Sequence, residues 1–136
     1  MNAKRLHRDE AGLVGKIVLV WLLLLALLAV AALDSVSIVV TRFKLSDAAA
    51  TAATTAATDY RNQHDVNAAC DAAAQSVVQD DAGAKMSKDW CRIDTTSGEA
   101  TITLRQTATT VIAGRLSFTQ DLAKVEQQES AGPGEL

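Results

Sequence analysis

Proline is nearly missing from this chain: the single one, Pro133, lies close to the C-terminal end. No glycine stands between Lys16 and Gly83. The two strongest helix breakers are thus absent from residues 17–82, and nothing local stops one helix from running far through them. Aromatic residues make up only 4% of the chain. With so few rings and so much alanine, a folded domain of this chain buries little apolar surface per residue, so its core must be modest.

Chemistry is scarce too. Histidine occurs only as His7 and His64. His64 has acidic neighbours in Asp59 and Asp65, but no pattern of nucleophile, base and orienting group accompanies it. The H-E-x-x-H, G-x-S-x-G and glycine-rich phosphate-loop motifs are absent. No second Cys or His stands at metal-ligand spacing, and no C-x-x-C offers redox chemistry. The adjacent Asp80 and Asp81 read as a solvated helix end rather than a divalent-ion site. The sequence therefore predicts no catalytic residue, metal, cofactor or small-molecule substrate, and a protein that is not an enzyme.

What the chain does have is an unbroken apolar run, IVLVWLLLLALLAVAAL, over residues 17–33. As helix it rises roughly 25 Å, just short of the ~30 Å hydrocarbon core of a bilayer. Asp34 interrupts it only briefly, because VSIVV over residues 36–40 resumes the apolar character. A cleaved signal peptide is the competing account: a basic start, an apolar middle and Ala29-Val30-Ala31 as an A-x-A match. The length of the run, the lack of a breaker before that match and the apolar residues beyond it favour a retained anchor. Either way, residues 1–16 carry Lys4, Arg5, Arg8 and Lys16 against Asp9 and Glu10, which keeps this arm in the cytoplasm and sends the rest out.

The formal net charge of −3 hides an asymmetry between these parts. From Leu45 onward thirteen Asp/Glu face seven Lys/Arg. An acidic exported part does not suit nucleic acid, which needs a basic face. Lys16 and Asp34 bracket the span as boundary charges, and Asp34 reads most simply as a topological marker at its outer end. Cys70 and Cys91 both fall on the exported side. In an oxidising compartment they are expected to form one disulfide, worth on the order of 3 kcal/mol.

Beyond the span the helix is expected to continue through the Ala/Thr tract, with Ala49, Ala52, Ala53 and Ala56 along one side. Small side chains let another backbone approach closely, so this is a helix-packing face, either for a partner subunit or for the chain's own domain. Polarity rises at YRNQHD (60–65), suggesting a bend. Val66, Ala69, Cys70, Ala73 and Val77 then make a helical stripe, with Gly83 as its C-terminal cap. Past Gly83 the period shortens. Residues 89–93 and 100–106 read as a hairpin around Thr95-Thr96-Ser97-Gly98, and Trp90 as a core residue in preference to an interface anchor. Residues 109–117 suggest a short helix, 118–128 fit either helix or strand, and the tail reads as disordered.

The expected fold is therefore α+β. Residues 1–16 form a cytoplasmic arm, 17–40 a transmembrane helix, 41–65 its Ala/Thr-rich extension, 66–129 a small exported domain with a second helix and a short antiparallel sheet, and 130–136 a disordered tail. A basic arm containing Arg8, Glu10 and Gly12, one apolar span, Asp34 near its outer end, and then Leu45, Asp47 and Ala48-Ala49-Ala50 together resemble the TadE/TadG-like family of tight-adherence (Flp, type IVb) pilus assembly systems. The resemblance covers residues 8–60, and the rest only in outline. It implies a single-pass protein of the bacterial cytoplasmic membrane, an accessory or minor pilin-like structural subunit whose partners are other membrane subunits of the pilus or secretion machine. Processed pilin-like members carry a Glu at the start of the apolar segment; this chain has Lys16 there and no acid over 12–17. The resemblance therefore implies an uncut, membrane-retained member. The alternative reading is a secreted or anchored small binding protein of the cell envelope.

Overall fold

The computed structural model describes residues 6–132, with side chains from Val14 onward apart from Lys88. The first helix, α1 (Leu6–Gln63), takes up 58 residues without a break. At 1.5 Å per residue it is roughly 87 Å long. Residues 6–16 of the N-terminal arm already belong to it. A second helix, α2 (Val66–Asp80), folds back on its far half. Three strands, β1 (Cys91–Ile93), β2 (Ala100–Thr107) and β3 (Lys124–Ala131), pair in the antiparallel order β1-β2-β3 and pack against that same half. This is the expected α+β layout.

The packing stripe of α1 runs through Leu45, Ala48, Ala49, Ala52, Ala53, Ala56 and Ala57, at positions i, i+3, i+4, i+7, i+8, i+11 and i+12. That spacing keeps one face turned inward over nearly four turns. Its counterparts are Ala73 and Val77 of α2, Ala100, Ile102 and Leu104 of β2, and Val125 of β3. Among the described residues, the largest side chains wholly enclosed are Leu45, Ile102, Leu104 and Val77. The core is thin, as the low aromatic content requires.

The bend between the helices has a simple local cause. His64 takes φ +57°, its N–H bonding back to the Tyr60 carbonyl at 2.7 Å, and this left-handed residue ends α1. Asp65 then caps α2, accepting from the N–H groups of Asn67 (2.8 Å) and Ala68 (3.2 Å). At the other end of α2 the cap is Asp81 rather than the expected Gly83, which follows in the turn and donates its N–H to the Asp81 carboxylate at 2.9 Å.

The hairpin forms where the sequence placed it. Asp94 accepts from the N–H of Thr96 at 2.8 Å, and Gly98 takes φ +74°, which a glycine adopts freely. The Thr96 N–H, with help from Ser97, holds the Asp94 carboxyl below its ordinary range. Two other expectations are corrected, and one choice the sequence left open is resolved. Residues 109–117 form no α-helix but a succession of turns within a long β2–β3 connection. Of the alternatives for 118–128, a short 3-10 turn (Gln120–Ala123) followed by strand β3 is adopted. Ser130 and Ala131, assigned to a disordered tail, pair with Thr101 and Ala100 in β3, so the sheet extends past 129; residues 133–136 lie outside the described residues.

Candidate membrane-boundary site

The first half of the long helix has nothing of its own chain to cover it. Residues 17–33 are exposed on every side apart from a half-buried Val30. The segment is long and apolar enough to cross a membrane. A helix that is apolar all round and uncovered by protein needs another apolar medium. Lys16 is exposed at its N-terminal end.

Asp34, at the other end, is only 6% exposed. Its carboxylate accepts three consecutive backbone N–H groups from the β2–β3 connection: Val111 at 2.6 Å, Ile112 at 2.9 Å and Ala113 at 2.9 Å. One turn further along α1, the Ser37 hydroxyl donates to the Thr109 carbonyl at 2.5 Å. These three N–H groups open a helical turn, in which Arg115 and Leu116 both bond back to the Ile112 carbonyl. Successive N–H groups at the start of a turn lack partners within it and make a concave seat for negative charge. Here the cap comes from a residue 77 positions earlier in the chain. Asp34 is therefore more than the topological marker it resembled in the sequence. It clamps the base of the domain to the end of the apolar segment.

The clamped connection is an Ω-like loop, closed at its neck by the bond from the Ala108 N–H to the Ala123 carbonyl at 2.7 Å, with both alanines buried. Outside the neck its side chains turn outward. Val111, Leu116, Phe118 and Leu122 are all exposed, Phe118 to 81%. On the opposite side of α1, at and just beyond the same level, Val36, Val39, Val40 and Phe43 form a second exposed apolar stripe. Neither feature was singled out from the sequence. The stripe was readable as an i, i+3, i+4, i+7 spacing, but VSIVV merged with the span before it. The loop's role was hidden because its anchor lies on another element.

The remaining predicted residues fall as follows. Cys70 on α2 and Cys91 at the start of β1 come together, with Cα atoms 5.9 Å apart and sulfurs in a disulfide. Ala49, Ala52, Ala53 and Ala56 are fully buried inside this chain. Of the two readings of that face, packing against the chain's own domain is the one realised, and no part of it is left for a partner. Trp90 is only half-buried and outside the core; the Arg105 guanidinium stacks over its ring at 4.5 Å, while Arg105 also pairs with Glu126 directly across the sheet. Asp80 and Asp81 border a surface groove with Lys44, Asp47 and Thr51, and no group of three or more His, Cys, Asp or Glu residues converges on one point among the described residues. His64 is exposed, and its ring lies 5.8 Å from that of Tyr60, where it serves the turn.

The fold and site thus define a class only: an exposed apolar helix running unbroken into the core of a small disulfide-linked α+β domain. Comparison with protein-family models, curated proteins and solved structures finds no match to this chain.

Proposed function

We propose that this chain is a single-pass protein of the bacterial cytoplasmic membrane, its N-terminus inside and its α+β domain outside, acting as an accessory or minor pilin-like structural subunit of a Tad/Flp-type pilus or related secretion machine. One observation carries the reading: the apolar segment and the domain's central packing helix are the same continuous helix. A subunit built this way transmits position from bilayer to envelope without a hinge, which suits assembly rather than turnover of a substrate. The motif resemblance over residues 8–60 points the same way, and the basic arm supports the orientation.

The Asp34 clamp favours retention over cleavage. A cut after Ala31 would leave Asp34 and Ser37 in the first turns of a new terminus, where helices fray and the clamp would lose its rigid support. Lateral packing against other subunits would use the exposed face of Val36, Val39, Val40 and Phe43, since the alanine face is consumed within the chain.

The test is isolation of the tagged full-length chain from membranes of its own host. Intact residues 1–31 on the membrane-bound protein, and co-isolation of TadB/TadC-like membrane subunits that is lost on Val39→Asp plus Phe43→Asp, are expected. A mature chain starting at Ala32 in the culture medium would overturn the reading in favour of a secreted binding protein.

A further inference from the structure

We propose that the 109–119 loop is a second membrane contact: a wedge seated in the outer headgroup and acyl boundary beside the span. This rests on the single-pass reading above and adds to it where the domain meets lipid.

Depth comes first. From Lys16, a hydrocarbon core of ~30 Å takes about 20 helical residues, which brings its outer edge close to Val36. Asp34 and Ser37, which hold the loop, stand at that level. The loop is thus bonded to α1 where the bilayer ends, whatever the domain above it does.

The surface of the loop matches that position. Val111, Leu116 and Phe118 are exposed, while Arg115 beside them carries a cation suited to lipid phosphate. A polar rim around apolar tips is the pattern of segments that lie in the interface. In a water-facing loop such a cluster would be a liability, yet β2 and β3 could have been joined by a short turn.

The backbone gives an independent argument. Loops facing water can leave N–H groups to the solvent, but in lipid each must be satisfied internally. From Val111 to Leu116 every N–H is: the first three by Asp34, Gly114 by the Thr110 hydroxyl at 2.7 Å, Arg115 and Leu116 by the Ile112 carbonyl. The N–H groups of Ser117 and Phe118 stay open and need the water of the headgroup layer, which limits how deep the loop sits. The Thr119 hydroxyl donates back to the Ala113 carbonyl at 2.8 Å. The buried carboxylate of Asp34 has the same logic. At the edge of the hydrocarbon an uncapped acid is costly, and the loop that uses it also shields it.

The experiment is site-directed spin labelling of the full-length chain in vesicles of phosphatidylethanolamine and phosphatidylglycerol, with the native Cys70–Cys91 pair left oxidised. Labels are placed through Phe118→Cys in the loop, Leu23→Cys in the span and Val78→Cys on the exposed face of α2. Relative accessibility to oxygen and to a water-soluble nickel chelate reads depth. The label at 118 is expected to lie about 5–10 Å into the boundary, with 23 deep and 78 in water. Asp34→Ala is expected to return 118 to the aqueous signature while leaving 23 unchanged. A position 118 as aqueous as 78, with 23 still deep, overturns the wedge and leaves the anchor standing. A position 118 shielded from both reagents overturns it in favour of a protein contact. An aqueous signature at 23 overturns the anchor and the wedge together.

Discussion

The two halves of α1 share one backbone and are built from opposite side chains. Residues 17–33 are leucine-rich and bare, with Leu19 and Leu28 each 67% exposed. Residues 45–57 bury alanine after alanine under α2 and the sheet. The difference shows how side-chain size assigns a neighbour. Leucine all round presents the most apolar surface and no seat for a second backbone, which suits a fluid medium. Alanine presents little surface but lets a helix and a sheet come close, which suits a fixed protein partner. Near Asp34 the two regimes meet, and the helix hands over without breaking.

The packed half must therefore be the fragile one, because its core is thin, and the disulfide should matter most there. Converting Cys70 and Cys91 to serine releases the loop between them and is expected to cost about 3 kcal/mol in the chain-entropy account. In detergent, with Trp21→Phe in both chains compared so that Trp90 is the sole fluorophore, urea denaturation should show the domain unfolding at lower urea. Helicity of the apolar half should survive, since nothing in it depends on the bridge. Loss of both together would mean that the halves are one cooperative unit and would break the comparison.

A reciprocal exchange sharpens it next. Ala53→Leu forces a large side chain between closely spaced elements and is expected to cost about 1–3 kcal/mol of domain stability. Leu25→Ala, in the bare half, removes more apolar surface but leaves no cavity in this chain, and the same denaturation midpoint should not move. Equal shifts from both would show that the bare half packs on the domain after all.

This contrast was legible in the sequence, because composition and period are local properties. The unbroken helix, the α2 stripe and the hairpin at Asp94 to Gly98 could all be read from residues near one another. What escaped was whatever needed a distant partner. β3 reads K-V-E-Q-Q-E-S-A, too polar for a core strand, because its inward positions include Glu129, which accepts from the Ser46 hydroxyl of α1 at 2.7 Å. Trp90 looked like core because nothing nearby announced Arg105 as its cover. Asp34 looked like a boundary charge because the amides it caps lie far along the chain. In each case a polar group chose the contact, and polar contacts leave no periodic trace.

The smallest expected effect concerns where the packed half stops. The bare half hands over to the packed half with no stop signal, whereas the packed half ends sharply at His64, the one residue other than glycine at positive φ among those described. A side chain in that region costs about 1–2 kcal/mol, and glycine gives back part of this by losing more freedom on folding. His64→Gly should accordingly stabilise the domain by about 0.5–1 kcal/mol, raising the urea midpoint with no change in slope. A lowered midpoint would mean that the ring contact with Tyr60 outweighs the backbone strain, so that the end of α1 is fixed by a side chain.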